Sequence, residues 1–201
     1  MSQKRRVFQR TQGDRPYRKL YIIVVEGTKT EPQYFSMFNN QQSVIKIVCR
    51  AGKHSSPPYV MKKIRQHLKE ENFKTTDEAW LVVDKDNWTE QQLTELYQWT
   101  KEANNYGLAL SNPKFEYWLL LHFEEGNNIT SSQECSKRLE QYIPDYNKGI
   151  NVCKIKLLGN INDAIKRAKK RDTPPSIDWP RTIGNTTVYK LVESIQQATT
   201  N

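Results

Sequence analysis

The sequence predicts an α/β fold: a mostly parallel four-stranded sheet flanked by helices, with a C-terminal helical extension. Three observations predict it. Short apolar runs rich in β-branched residues alternate with stretches of helical periodicity through the first half of the chain. Two of those runs end in carboxylates: Tyr21-Ile22-Ile23-Val24-Val25 before Glu26-Gly27, and Trp80-Leu81-Val82-Val83 before Asp84-Lys85-Asp86. After Gly126 the pattern changes to helices separated by polar loops.

The elements follow in order. Residues 1–18 are polar and basic, a lead-in to the fold. Leu20 to Val25 is the first strand, buried on both faces. Gly27 suits a tight turn, and Pro32 fits the first turn of a helix carrying Tyr34, Phe35 and Phe38. Val44 to Val48 is a second strand, and Ala51 to Pro58 a loop. A helix from about Tyr59 sets Val60, Ile64 and Leu68 on one face. Trp80 to Val83 is the third strand. Thr89 with Gln92 forms a capping box, opening a helix with Leu93, Leu96 or Tyr97, and Ala103 inward. Gly107 is expected to end it, before the short strand Leu108-Ala109-Leu110. Ser111-Asn112-Pro113 should cap a helix over Phe115 to Phe123. Helices near 133–142, 160–171 and 186–197 complete the chain. The last shows Val188, Leu191, Val192 and Ile195 at helical spacing behind an Asn185 cap. The core is thus expected over 19–125, with 126–201 as a helical cover.

The chain has 201 residues, and Lys plus Arg exceed Asp plus Glu by 31 − 22 = 9. With a pI near 9.4, a polyanionic partner is plausible. The excess is clustered at Lys4, Arg5, Arg6 and Arg10, at Lys62, Lys63 and Arg65, and at Lys166, Arg167, Lys169, Lys170 and Arg171. A helix face of charges is usually only solvated, but these side chains also suit a phosphate backbone. Cys49, Cys135 and Cys153 are odd in number and far apart, which suggests neither a zinc site nor a disulfide framework, and fits a reducing cytoplasm. The N-terminus has no apolar h-region, so no signal peptide is expected, and no run is long enough to span a membrane.

Asp84 and Asp86 are two apart, a spacing that in a regular strand points both to one face. If the Glu26 strand is a neighbour, at about 4.8 Å, three carboxylates meet within reach of one or two Mg²⁺ or Mn²⁺ ions. The plain alternative is that the aspartates begin a loop and cap the next helix.

Strand–Glu-Gly followed by strand–Asp-x-Asp resembles the Toprim domain of topoisomerases, primases and several nucleases, over roughly residues 19–112. Two longer segments resemble RloB-like proteins: Val25-Glu26-Gly27-Thr28-Lys29-Thr30-Glu31-Pro32-Gln33-Tyr34-Phe35, and Ser111-Asn112-Pro113-Lys114-Phe115-Glu116-Tyr117-Trp118-Leu119-Leu120-Leu121-His122-Phe123. Thr186-Thr187-Val188-Tyr189 fits that family's usual ending. The resemblance implies a Toprim-like core with metal-dependent nuclease activity. It also implies an ATPase partner in phage-defence or abortive-infection systems such as AbiL. Expected ligands are Glu26, Asp84 and Asp86, with Glu31 as a further one by likeness to Toprim nucleases of the OLD type. Glu116, in the second motif, and Lys29 are further expected catalytic residues: Glu116 could face the strand-end cleft, and Lys29 and Lys85, which flank the ligands, could stabilise a phosphorane-like transition state.

The bland readings stand beside these. Glu31 and Glu116 each open a helix, where a carboxylate suits the dipole. Lys29 and Lys85 are ordinarily solvated. His122 reads as a satisfied, partly buried histidine, and His54 as a speculative substrate contact. A rival function is a non-catalytic docking or nucleotide-sensing subunit of the ATPase complex. A nucleotide enzyme of another type would need a Gly-rich phosphate loop, which Glu-Gly-Thr-Lys-Thr-Glu is not. The sequence leaves open DNA against tRNA or other RNA, and the oligomeric state, homo-oligomers included.

Overall fold

Five buried residues in succession, Tyr21 to Val25, make the first strand the centre of the molecule. The structure, a computed structural model, describes residues 18–41, 43–49, 57–146, 150 and 160–200. The basic lead-in through Tyr17, His54 with most of its loop, and Cys153 lie outside the described residues.

The elements are β1 (Lys19–Val25), α1 (Thr30–Ser36), β2 (Ser43–Cys49), α2 (Pro57–Glu70) and β3 (Glu78–Asp84). A single 3-10 turn, Lys85–Asn87, leads to α3 (Glu90–Thr100), β4 (Tyr106–Asn112), α4 (Phe115–Leu120) and α5 (Ser132–Tyr142). Then come α6 (Ile161–Arg171), β5 (Asn185–Thr186) and α7 (Val188–Thr200).

The strand order is β2-β1-β3-β4-β5. The first four strands are parallel; β5 joins antiparallel, with Thr186 opposite Ser111. The chain leaves β1 in one direction toward β2, then crosses back over β1 to β3. The order therefore reverses between β1 and β3. In open α/β sheets the crevice at such a reversal, outside the carboxyl ends of the strands, is where ligands bind.

Alternation along β1 divides the core. Tyr21, Ile23 and Val25 face a layer that includes Tyr34, Phe35, Trp118, Leu139, Ala164, Val188 and Ile195. Ile22 and Val24 face α2 and α3 through Val60, Ile64, Leu93, Leu96 and Trp99. The helices after Gly126 thus complete one of the sheet's two covering layers. The Tyr21 hydroxyl ties them to β1, donating to the Ser194 carbonyl at 2.8 Å.

Four local expectations are corrected. The sheet has a fifth strand: Asn185 enters β5, and Thr186 rather than Asn185 caps the last helix, its Oγ1 accepting from the Val188 N–H at 3.3 Å. Gly107 does not end α3, which stops at Thr100. It lies within β4, where a Cβ would fall 2.5 Å from the Trp80 indole. The ring occupies the place of a side chain. Trp99, not Ala103, completes the buried stripe of α3. Finally, α4 ends at Leu120, and Ser111 and Asn112 are strand residues; its cap comes from elsewhere, as the site explains. The Thr89–Gln92 capping box forms as expected, with both reciprocal bonds made.

Candidate active site

Glu26 is the first residue after β1, and Asp84 is the last of β3. The strands are direct neighbours, Val25 opposite Val82, so both carboxylates emerge at the reversal point. Two more arrive from helices: Glu31 from the first turn of α1, Glu116 from the first turn of α4.

Three of the four are held by specific donors. Asp84 Oδ1 accepts from the Phe115 N–H at 2.8 Å, so it is Asp84, from a different strand, that caps α4. Glu31 is only 6% exposed, and its Oε1 accepts from the Gly27 N–H at 2.9 Å. A Cβ at residue 27 would lie 2.1 Å from Glu31 Oε2, so glycine is what admits this carboxylate to the turn. Glu26 accepts from the indole N–H of Trp88.

The four carboxylates act on one another. Burial, then the charges of Glu26, Glu116 and Glu31, push the Asp84 carboxyl well above its ordinary value, against the opposing Phe115 N–H. Burial pushes Glu31 up as well; backbone N–H groups of its own residue and Gly27 oppose this, and Glu116 and Glu26 add to it. Behind them, burial and then the Glu116 charge push the Cys135 thiol up to about 12.

Asp86 does not join this group. It hydrogen-bonds the Ser132 hydroxyl at the start of α5. The reason is local. Side chains alternate faces only while the chain stays extended, and after Asp84 it turns through the 3-10 segment that contains Asp86. The two aspartates therefore diverge despite their spacing.

Of the flanking lysines, Lys29 is exposed, and Lys85 pairs with Glu90 at 3.1 Å. His122 is buried, between the Tyr34 hydroxyl at 3.1 Å and the Trp118 carbonyl at 3.0 Å. Burial pushes its pKa down to about 4, so it is a neutral core histidine at pH 7.

The basic clusters fare differently. On α2, Lys62 is exposed, Lys63 lies 5.3 Å from the Tyr59 ring, and Arg65 is bonded to Glu102. Lys62 and Arg65 line an open groove of about 520 Å³ with Pro58, Met61, Gln66 and Lys69. On α6, Arg167 donates to the Leu121 carbonyl at 2.8 Å and to Glu125, and Arg171 to the Glu125 carbonyl and Asn127. Those arginines fasten α6 to the loop after α4. Lys166 and Lys170 project into solvent, and Lys169 pairs with Glu193 at 2.6 Å.

Sequence reasoning missed Trp88, which orients Glu26. Its signal was a lone tryptophan in the polar run between Lys85 and Thr89. It also missed the polar wall that α5 sets against the crevice. There, besides Ser132, Ser136 accepts from the Lys114 ammonium at 2.6 Å.

By donor chemistry the carboxylate set fits a hard divalent cation, being oxygen-only and crowded with like charge. Among the described residues, no three His, Cys, Asp or Glu side chains stand in a geometry that holds a metal ion. Closing around an ion requires rotation from the present rotamers. Among the described residues, no helix is long and apolar enough to cross a membrane.

No curated protein and no solved structure matches the chain. The family model described as RloB-like protein matches residues 21–195, spanning both sheet layers and every carboxylate described above. The chain belongs to the RloB-like family.

Proposed function

We propose that this protein is a Toprim-like, divalent-metal-dependent nuclease that hydrolyses phosphodiester bonds in nucleic acid. Within the abortive-infection systems to which the RloB-like resemblance points, it acts as an effector beside an ATPase partner. One observation carries the reading: four carboxylates gathered at the reversal of a parallel sheet, two of them displaced upward in pKa by burial and mutual charge. Such crowding costs stability, and a purely structural role does not need it. Bound Mg²⁺ or Mn²⁺ would supply a water of lowered pKa and neutralise charge on the phosphate.

The chain's own residues have distinct tasks. Glu26 and Asp84 at the strand ends, with Glu116 from α4 and Glu31 from α1, would hold the ion. Trp88 orients Glu26, and the Phe115 N–H orients Asp84. Asp86, bonded to Ser132, joins through a rotation of its side chain or orders water outside the ligand set.

The second reading, a non-catalytic docking or nucleotide-sensing subunit, is favoured by the Asp86–Ser132 bond, which takes half of the Asp-x-Asp pair away from the cluster. The two are separated by incubating the purified chain, alone and with its ATPase, with Mg²⁺ or Mn²⁺ and plasmid, single-stranded DNA or total tRNA. Metal-dependent cleavage that Glu26→Gln abolishes supports the nuclease. Absence of cleavage in every combination leaves the docking reading standing.

A further inference from the structure

Lys114 stands beside the acidic cluster in the chain. It precedes the first residue of α4, whose N–H Asp84 accepts, and two residues on lies Glu116. Its side chain is half-buried and reaches α5, donating to Ser136 Oγ at 2.6 Å. The Lys114 and Glu116 charges both act on Tyr146 and Cys135, which places the two side chains on the same side of α5. One turn earlier on α5, Ser132 holds Asp86. The crevice thus has two unlike sides: carboxylates on the strand ends, and an ammonium with hydroxyls along α5.

The lysine's partner is informative. A half-buried ammonium ordinarily takes a carboxylate, as Lys85 takes Glu90 at 3.1 Å. Among the described residues Lys114 makes no ion pair within 4.0 Å, and a neutral hydroxyl holds it instead. An ammonium carries three donors, and Ser136 takes one. A point charge steadied by a hydroxyl, beside carboxylates that suit a cation, has the complementarity of a phosphodiester: a metal on one side of the phosphate, a lysine on the other.

We propose that Lys114, steadied by Ser136, is the phosphate-binding side of this crevice and holds a backbone phosphate of a nucleic-acid strand against the carboxylate cluster. This rests on the nuclease reading for its ligand class, but not for its test. The rival role for Lys114 is a latch between α4 and α5.

The experiment measures binding of a short fluorescein-labelled oligonucleotide, as DNA and as RNA, to the full chain with Ca²⁺ in place of Mg²⁺. Parent, Lys114→Ala, Lys114→Arg and Ser136→Ala are compared over a salt series, with thermal melts of each. Loss of one phosphate contact should weaken Lys114→Ala binding about tenfold and reduce the salt slope by about one. Lys114→Arg should keep most of the affinity, Ser136→Ala should lose part of it, and the melts should change little. Unchanged affinity and slope for Lys114→Ala, with a lowered melting temperature, would show a latch and overturn the proposal. Cleavage that persists in such a variant would sink the subsite and leave the nuclease standing. Lys114-dependent binding without cleavage by the parent in Mg²⁺ or Mn²⁺ would do the reverse.

Discussion

The carboxylate of Glu31 occupies the space that a side chain on Gly27 would need. Its Oε1 accepts the Gly27 N–H at 2.9 Å, and its Oε2 lies 2.1 Å from where a Cβ would be. The turn after β1 and the acidic cluster are therefore one construction. Gly27→Ala should displace the carboxylate. Because the obstacle is the end of a flexible side chain, the steric cost is small, and the lost hydrogen bond costs about 1 kcal/mol. Metal-dependent activity should fall far more than stability. Chemical denaturation and cleavage assays on one preparation check this, and an alanine variant with parental activity would remove Glu31 from the site.

Asp84 and Glu31 both bind protons more tightly in the folded chain than in the unfolded one. Their contribution to stability is therefore greatest at low pH and is lost as pH rises from about 4 through their raised folded values. Asp84→Asn should remove part of that dependence, since a neutral amide oxygen still accepts the Phe115 N–H. At pH 7, without metal, the variant should melt at or above the parent's temperature while losing cleavage and phage protection. Added Mn²⁺ should stabilise the parent and not the variant. Full phage protection by both Asp84→Asn and Glu26→Gln, with the partner present, would refute the catalytic role.

Trp88→Phe deletes the N–H that Glu26 accepts and keeps an aromatic ring, smaller than the indole, in the buried site. Removing a hydrogen-bond partner of a metal-ligating group costs about 10–100-fold in affinity or activity. Mn²⁺ titration by calorimetry, at a temperature where both proteins are folded, should show that loss; the smaller ring also lowers the melting temperature by leaving a cavity. Parental Mn²⁺ affinity would mean the indole only fills space.

The α6 cluster should split by residue. Arg167→Ala and Arg171→Ala should destabilise the fold, because each guanidinium bonds backbone carbonyls of the loop after α4. Lys166 and Lys170, 78% and 81% exposed, should not. If this face tracks nucleic acid, Lys166→Ala with Lys170→Ala should lower the salt slope by about 0.7 to 0.9 per phosphate released. An unchanged slope would leave α6 a solvated, structural helix.

Much of this was legible in the sequence because the relevant forces are local. Apolar runs marked β1, β3 and β4, since a strand buried on both faces has no polar side to show, and β2 showed through its β-branched residues although Lys46 interrupts it at the sheet's edge. The Thr89–Gln92 cap and the stripe from Val188 to Ile195 are short-range patterns, and both formed as read. Glu26 and Asp84 were identified from their place at strand ends.

What tertiary structure decided are the pairings between distant segments. Asp84 caps a helix 31 residues away, a bond no cap motif encodes. Gly107 reads as a stop, yet it makes room for Trp80 on the neighbouring strand. Asn185 and Thr186 form a strand because Asn112 and Ser111 lie beside them. Asp86 parts from Asp84 because the chain turns as soon as the strand ends. The residues that approach the carboxylates from outside, Trp88, Lys114, Ser132 and Ser136, carry no spacing signal. Ser132, Ser136 and Lys114 are brought together by the packing of α5 on α4, and Trp88 by the opposite layer of α2 and α3, a matter of packing between layers rather than of any single segment's preference.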